Sequence, residues 1–150
     1  MEISHEVQIA RAPEAVFDFL VETDNFPVVD RALVDFAPRG RMSVGLRGTF
    51  VHLRGGMRAR SAWQVSDLVR PRRIHVAVRG MGYEMDEVAT LAPTPSGTLA
   101  TFVDIVRATS LAGRLMVALS GRLMRLDLRR RAALLKESLE AELPSLRVDA

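Results

Sequence analysis

The chain contains no cysteine, and this absence excludes disulfides, thiolate nucleophiles and cysteine-ligated metal sites. Aromatic residues are also scarce at 5%, with one tyrosine and one tryptophan. The basic residues are nearly all arginine, because Lys136 is the only lysine, and the net charge is only +3. Nucleic-acid binding calls for clustered basic residues with interleaved aromatics, so no nucleic-acid partner is expected.

Neither a secretory signal nor a membrane-spanning segment is expected. Residues 1–6 are acidic and polar where a secretory signal is basic and then apolar, and no apolar run reaches the roughly 18 residues of a membrane span. A length of 150 residues suits one core in one domain. We therefore expect a cytoplasmic protein with a single domain, 1–150, in which residues 144–150 form a frayed tail.

The first 30 residues predict a strand and two short helices. From Ile3 to Ile9, apolar residues alternate with polar ones, which favours a strand. Pro13 and the acid that follows it suit a first helical turn, and apolar residues then recur at helical spacing until near Glu22. Residues 26–29 predict a second short helical turn or a buried loop.

Between Ala32 and Thr109 the apolar pattern has a period of two and is broken by turn signals rich in glycine and proline. This spacing predicts a meander of about six short antiparallel strands. One face carries arginine and is expected to face water. The other face is expected to line the core, with Met57, Ala59, Ser61, Trp63, Val65, Ile74, Val76 and Val78.

After Gly113 the period becomes 3.6 and continues to about Glu142, which predicts a long helix. Its apolar stripe rotates near Gly121, which predicts a kink or a break there. The first half presents Ala112, Leu115, Leu119, Leu123 and Leu126, and the nearly opposite face presents Met124, Leu128, Ala132, Leu135 and Leu139. A basic stripe of Arg122, Arg125 and Arg129 is either a solvated face or a docking face for a transient contact with an anionic membrane surface.

Four stretches together resemble the START-related helix-grip superfamily (SRPBCC), which includes polyketide cyclases/dehydrases and lipid-transport domains. They are Ile9 to Leu20, Trp63-Gln64-Val65 ahead of Arg70 to Ile74, the turn Gly97-Thr98, and Leu134 to Glu140. The resemblance implies an α+β fold in which a curved antiparallel sheet of about seven strands wraps around the C-terminal helix, with two short helices after the first strand.

The resemblance implies a binding or carrier protein for a small hydrophobic molecule, lipid-like or polyketide, held between sheet and helix. The alternative is an enzyme like the polyketide cyclases/dehydrases, with a pocket carboxylate as acid and base. Neither a cofactor nor a metal is expected, and a homodimer stays open. Because tyrosine and tryptophan are scarce, the pocket is expected to be aliphatic and rich in methionine. The candidate ligand-binding residues are Met57, Ser61, Trp63, Val76, Tyr83, Met85, Glu87, Phe102, Leu115, Leu119 and Leu123.

Strict alternation places Glu87 on the apolar face of its strand. If the last hairpin loop is the four residues 94–97, Glu87 stands opposite Asp104, one of the two titrates high, and both are candidate catalytic acids. With a five-residue loop, Asp104 turns outward and Arg107 pairs with Glu87. His75 should face water, and His52 is either structural or a pocket acid and base.

Overall fold

The computed structural model describes residues 1–54 and 56–141, so the predicted tail at 144–150 lies outside the described residues. The first strand, β1 (Glu2–Ile9), is followed by α1 (Pro13–Leu20), a 3-10 turn (Thr23–Asn25) and α2 (Phe26–Val29). The meander and the last helix are β2 (Leu33–Ala37), β3 (Arg47–Arg54), β4 (Met57–Val69), β5 (Arg73–Gly80), β6 (Tyr83–Thr94), β7 (Gly97–Ala108) and α3 (Leu111–Glu140). The predicted α+β element order is confirmed.

The seven strands form one curved, open antiparallel sheet in the order β1-β7-β6-β5-β4-β3-β2. β1 is an edge strand that pairs with β7, and in this pairing Ile3 lies opposite Asp104. Register shifts in β2 and β4 add bulges, which bend a sheet locally. Helix α3 packs against β1 and β7.

The core lies between the concave face of the sheet and α3. Trp63, Val65, Ile74, Val76 and Met85 are all buried on this face, as the alternation predicts. They share a single apolar cluster with Leu135 and Leu139 of the helix. Burial of each large apolar side chain contributes about 1.5 to 3 kcal/mol, so this face holds the helix against the sheet.

The start of α3 is fixed by the turn between β5 and β6. Ser110 caps the helix, since its hydroxyl accepts a hydrogen bond from the Gly113 N–H at 3.0 Å. A Cβ at Gly113 would lie 1.9 Å from the carbonyl oxygen of Gly82, so only glycine permits this close approach. The helix therefore begins at Leu111, slightly before the predicted start.

The predicted break at Gly121 is wrong, because α3 runs without interruption from Leu111 to Glu140. Gly121 meets no backbone that would require glycine, and a Cβ there would touch only Met1 Sδ at 3.4 Å. The two apolar stripes instead occupy two sides of one helix. One packs on the sheet and the other, which includes Leu119 and Leu123, is exposed.

Candidate functional site

Two cavities lie between the sheet and α3, and their shared wall is polar. The first, with a volume of about 180 Å³, is called here the aromatic cavity. The second, of about 230 Å³, is called the methionine cavity. The residues that line both are Phe50, His52, Glu87, Asp104 and Arg131. The cavities therefore meet at a group of charged side chains.

One part of the wall of the aromatic cavity is made of rings. Phe36 stacks on Trp63 with ring centroids 4.9 Å apart, and Phe26 meets Phe36 edge-on at 4.8 Å. Phe50 and Phe102 also line this cavity. The rest of its wall is aliphatic, as expected, but four of the six phenylalanines and the tryptophan also converge on it from distant parts of the sequence.

The methionine cavity agrees with the expected composition. Met85 of β6 faces Met116 and Met124 of α3 across it. The hydroxyl residues Ser61, Tyr83 and Ser120 also line it, and Ser61 Oγ lies 3.3 Å from Tyr83 Oη. This cavity therefore combines adaptable apolar walls with one hydroxyl pair that can hydrogen-bond a ligand.

At the shared wall, one guanidinium stands among three carboxylates. Arg131 Nη1 lies 3.7 Å from Glu87 Oε1, and Arg131 Nη2 lies 3.4 Å from Asp104 Oδ2. Its Nε lies 3.5 Å from Asp127 Oδ2, one helical turn earlier. Glu87 and Asp104 are direct partners across β6 and β7, so the shorter-loop register is the observed one. These four residues, together with Asp30 and His52, are called the acid cluster.

The acid cluster holds a proton near neutral pH. Burial raises the pKa of Asp104 from its ordinary value of 3.8 to about 7, helped by the Glu87 charge and opposed by Arg131. Burial alone would lower the pKa of Arg131, but Glu87, Asp104 and the other nearby carboxylates raise it above its ordinary value. Arg131 thus stays charged, and Asp104 is the carboxyl whose pKa is raised.

Asp30 and His52 form a second pair in the acid cluster. His52 Nε2 lies 2.8 Å from Asp30 Oδ2, and the Ala32 N–H donates to Asp30 Oδ1 at 3.1 Å. Burial alone would raise the pKa of Asp30, but the His52 hydrogen bond, the nearby positive charges and the Ala32 N–H hold it below its ordinary value. Asp30 is therefore an acceptor that orients His52 against both cavities. Of the two readings of His52, the pocket position is the observed one.

Most of the predicted site residues converge on these cavities. Trp63, Val76 and Phe102 line the aromatic cavity, Ser61, Tyr83 and Met85 line the methionine cavity, and Glu87 and Asp104 line both. Whether any of them contacts a ligand stays a prediction.

Four predicted residues lie elsewhere. Met57 is 74% exposed at the start of β4. Leu115, Leu119 and Leu123 are exposed on α3, so the expectation that they line the cavity is wrong. The side of α3 that faces the cavity carries Val117, Ser120 and other residues of the sheet-facing stripe, and the three leucines lie on another side of the helix.

Arg107 does not pair with Glu87. It projects from the other face of the sheet, where its Nη2 lies 2.7 Å from Asp86 Oδ2. His75, expected to face water, lies on that outer face with Nε2 2.9 Å from Asp86 Oδ1. Hydrogen bonds from His75 and Arg107 hold the pKa of Asp86 below its ordinary value.

Sequence reasoning missed Arg131 and Asp30. A signal for Arg131 was present, because it falls within the series Leu128, Ala132 and Leu135 that faces the sheet. A charged residue in an apolar helical stripe predicts a buried partner. Asp30 carried no such signal, since its position depends on the irregular connection from α2 to β2.

Comparison with known proteins bears on the fold alone. Neither a family model nor a curated protein gives a significant match. A crystal structure of a Chromobacterium violaceum protein superposes with a TM-score of 0.76 at 18% identity, covering 93% of this chain and 98% of the other. A Thermus thermophilus protein gives 0.75 at 18% identity, covering 95% and 99%, and a Rhizobium loti protein gives 0.69 at 19% identity, covering 89% and 96%. These structures are compatible with a helix-grip fold.

The described residues contain neither a candidate membrane-spanning helix nor a group of candidate metal ligands. No helix within residues 1–54 and 56–141 combines the length and hydropathy needed to cross a membrane. In the same part of the chain, no three histidine or acidic side chains are grouped so as to hold a metal ion.

Proposed function

We propose that the protein binds, as a carrier or sensor, a small, uncharged and largely apolar molecule in the space between sheet and helix. The observation that carries the proposal is the position of the acid cluster between two apolar cavities. A ligand spanning both cavities would place its middle or its polar group against that cluster. Apolar walls with a few convergent polar groups are typical of small-molecule sites.

The charge of the acid cluster selects against anions. Arg131 faces three carboxylates at the shared wall, so its positive charge is already compensated, even when Asp104 is protonated. A ligand carboxylate would add another negative charge in a poorly hydrated space, which is unfavourable. A hydroxyl or carbonyl would instead hydrogen-bond with protonated Asp104 or with the Ser61–Tyr83 pair.

Trp63 provides the assay, because it is the only tryptophan and lines the aromatic cavity. Octanol should change its fluorescence saturably, whereas octanoate, with the same number of carbons, should bind far more weakly. Ala132→Leu should weaken octanol binding by filling the aromatic cavity. Ala133→Leu is the matched control, because Ala133 is the next residue along the helix and its side chain is exposed.

The proposal predicts that both variants keep the circular dichroism spectrum of the wild type. Equal affinity for octanol and octanoate would contradict the charge argument. Unchanged octanol binding in folded Ala132→Leu would move the site away from this cavity.

A second function, proton-transfer catalysis of the kind that polyketide cyclases/dehydrases perform, is favoured by the Glu87–Asp104 pair. A carboxyl that titrates near 7 can both give and take a proton at neutral pH. In aldol closure it would remove a proton from the carbon beside a substrate carbonyl and later protonate a leaving hydroxyl. The cavity would hold the reacting groups close together.

Enolisation of a bound ketone tests this function without knowledge of the substrate. In deuterated buffer, the wild type should accelerate exchange of the methyl protons of acetophenone, as followed by NMR. Asp104→Asn should lose the acceleration, and Asp18→Asn, on the surface of α1, should keep it. Exchange at the same rate in wild type and Asp104→Asn would exclude Asp104 as the base.

A further inference from the structure

The first half of α3 carries an exposed apolar ridge. Leu111, Leu115, Leu119 and Leu123 recur every four residues, so they lie nearly above one another along one side of the helix. All four are exposed, Leu119 by 74%. Leu126 extends the ridge and is also exposed. Single exposed leucines need no explanation, but a row of them marks an interaction surface.

The five leucines are called here the leucine ridge. Another exposed apolar residue lies near the start of the helix, because Met81 at the tip of the β5–β6 turn is 90% exposed. This turn is held at the helix start because Gly82 contacts Gly113, and the Gly82 carbonyl accepts a hydrogen bond from the Thr109 N–H at 2.9 Å.

Arginines follow one edge of the leucine ridge. Arg114, Arg122, Arg125 and Arg129 are exposed, and helical spacing places all four on the same side of the leucines. The sequence contains no acidic residue between Leu111 and Leu126, so this half of the helix has an uncompensated positive charge along its length. Long arginine side chains can lie along apolar surface while their charged ends reach outward.

These features identify the chemistry of the partner. Pairing the leucine ridge with the same ridge of a second copy would bring two arginine rows into one interface, where like charges repel. An anionic lipid surface offers apolar chains for the leucines and, just above them, phosphates within reach of the arginines. We infer that the leucine ridge is a docking surface for an anionic membrane, on which α3 lies parallel to the lipid plane.

The inference gives the methionine cavity a position relative to the membrane. Met116, Ser120 and Met124, which line this cavity, lie on the same half of α3 as the leucine ridge. Docking would bring this half of the helix into contact with lipid, so the cavity would lie directly beneath the docked helix. The inference does not depend on the identity of the bound molecule.

Vesicle flotation with the purified full-length protein tests the inference. The protein should float with vesicles of phosphatidylcholine and phosphatidylglycerol, stay in solution with phosphatidylcholine alone, and detach as salt rises. Arg122→Ala with Arg125→Ala should weaken binding by about 25-fold, since each arginine near an anionic surface contributes about fivefold. Leu119→Ser with Leu123→Ser should abolish binding.

The control variants change two arginines and one exposed apolar residue away from the leucine ridge. Arg72→Ala with Arg73→Ala lies at the opposite end of β5 from Met81, and Val44→Ser replaces a valine that is 62% exposed. Both controls should float as the wild type does. Flotation that does not depend on lipid charge, or that is unchanged by the leucine substitutions, would overturn the inference. A dimer in analytical ultracentrifugation that Leu119→Ser with Leu123→Ser dissociates, with no flotation, would assign the leucine ridge to a second copy instead.

Discussion

Replacing Asp104 with asparagine tests the protonation of the acid cluster through the stability of the fold. Asparagine has nearly the shape of a protonated aspartic acid and cannot ionise. The wild-type carboxyl has a pKa of about 7 in the folded state and an ordinary value of 3.8. Between these values the folded state holds a proton that the unfolded state has lost, so wild-type stability falls as pH rises.

The size of the effect follows from the same two values. While the carboxyl is protonated in the folded state and ionised in the unfolded state, the free energy of unfolding falls by about 1.4 kcal/mol per pH unit. The folded carboxyl ionises only near pH 7. From pH 5 to pH 8 the wild type should therefore lose about 3 kcal/mol relative to Asp104→Asn, and the difference should become constant above the folded pKa. The side chain is only 7% exposed, so solvent screens this effect little.

Urea denaturation followed at several pH values measures the difference. Asp18→Asn is the control. The hydrogen bond from Arg70 lowers the pKa of Asp18 to about 2, so Asp18 titrates below this range and its variant should run parallel to the wild type. Parallel curves for wild type and Asp104→Asn would refute the reasoning, because they would mean that Asp104 is already ionised at pH 5.

Four further substitutions test the packing and the charge pairing. Gly113→Ala should destabilise the protein by about 1 to 3 kcal/mol, because its Cβ would meet the carbonyl of Gly82, whereas Gly121→Ala in the same helix should stabilise it by up to about 1 kcal/mol. Thermal melts of the pair distinguish a local clash from a general effect of alanine. Leu135→Ala should cost about 2 to 5 kcal/mol in urea denaturation, since Leu135 is buried against the sheet. Arg131→Met should cost about 3 to 5 kcal/mol and raise the pKa of Asp104 further, as seen by carbon NMR; an unchanged pKa would remove Arg131 as its partner.

The fold could be predicted from local periodicity because each strand buries one face. That alternation placed Trp63 and Glu87 correctly, but it left the loop length of the last hairpin open, and only the observed register puts Asp104 opposite Glu87. Arg131 and Asp30 reach the same site from a helix and a loop, and their approach depends on how α3 crosses the sheet. Periodicity along one segment carries no information on that crossing, so the partners of the acid pair could not be assigned from it.

The pairing of β1 with β7 has a consequence for how the chain folds. Glu2 finds its partner at Ile105, and Lys136 of α3 donates a hydrogen bond to the carbonyl of Gln8 at 2.6 Å. Contacts this distant in sequence are slow to form, because a long loop must close before they contribute. During synthesis β1 must wait without its neighbour until β7 has left the ribosome. The hairpins β3–β4 and β5–β6 can form earlier, so addition of β1 to the edge of the sheet is a late event in folding.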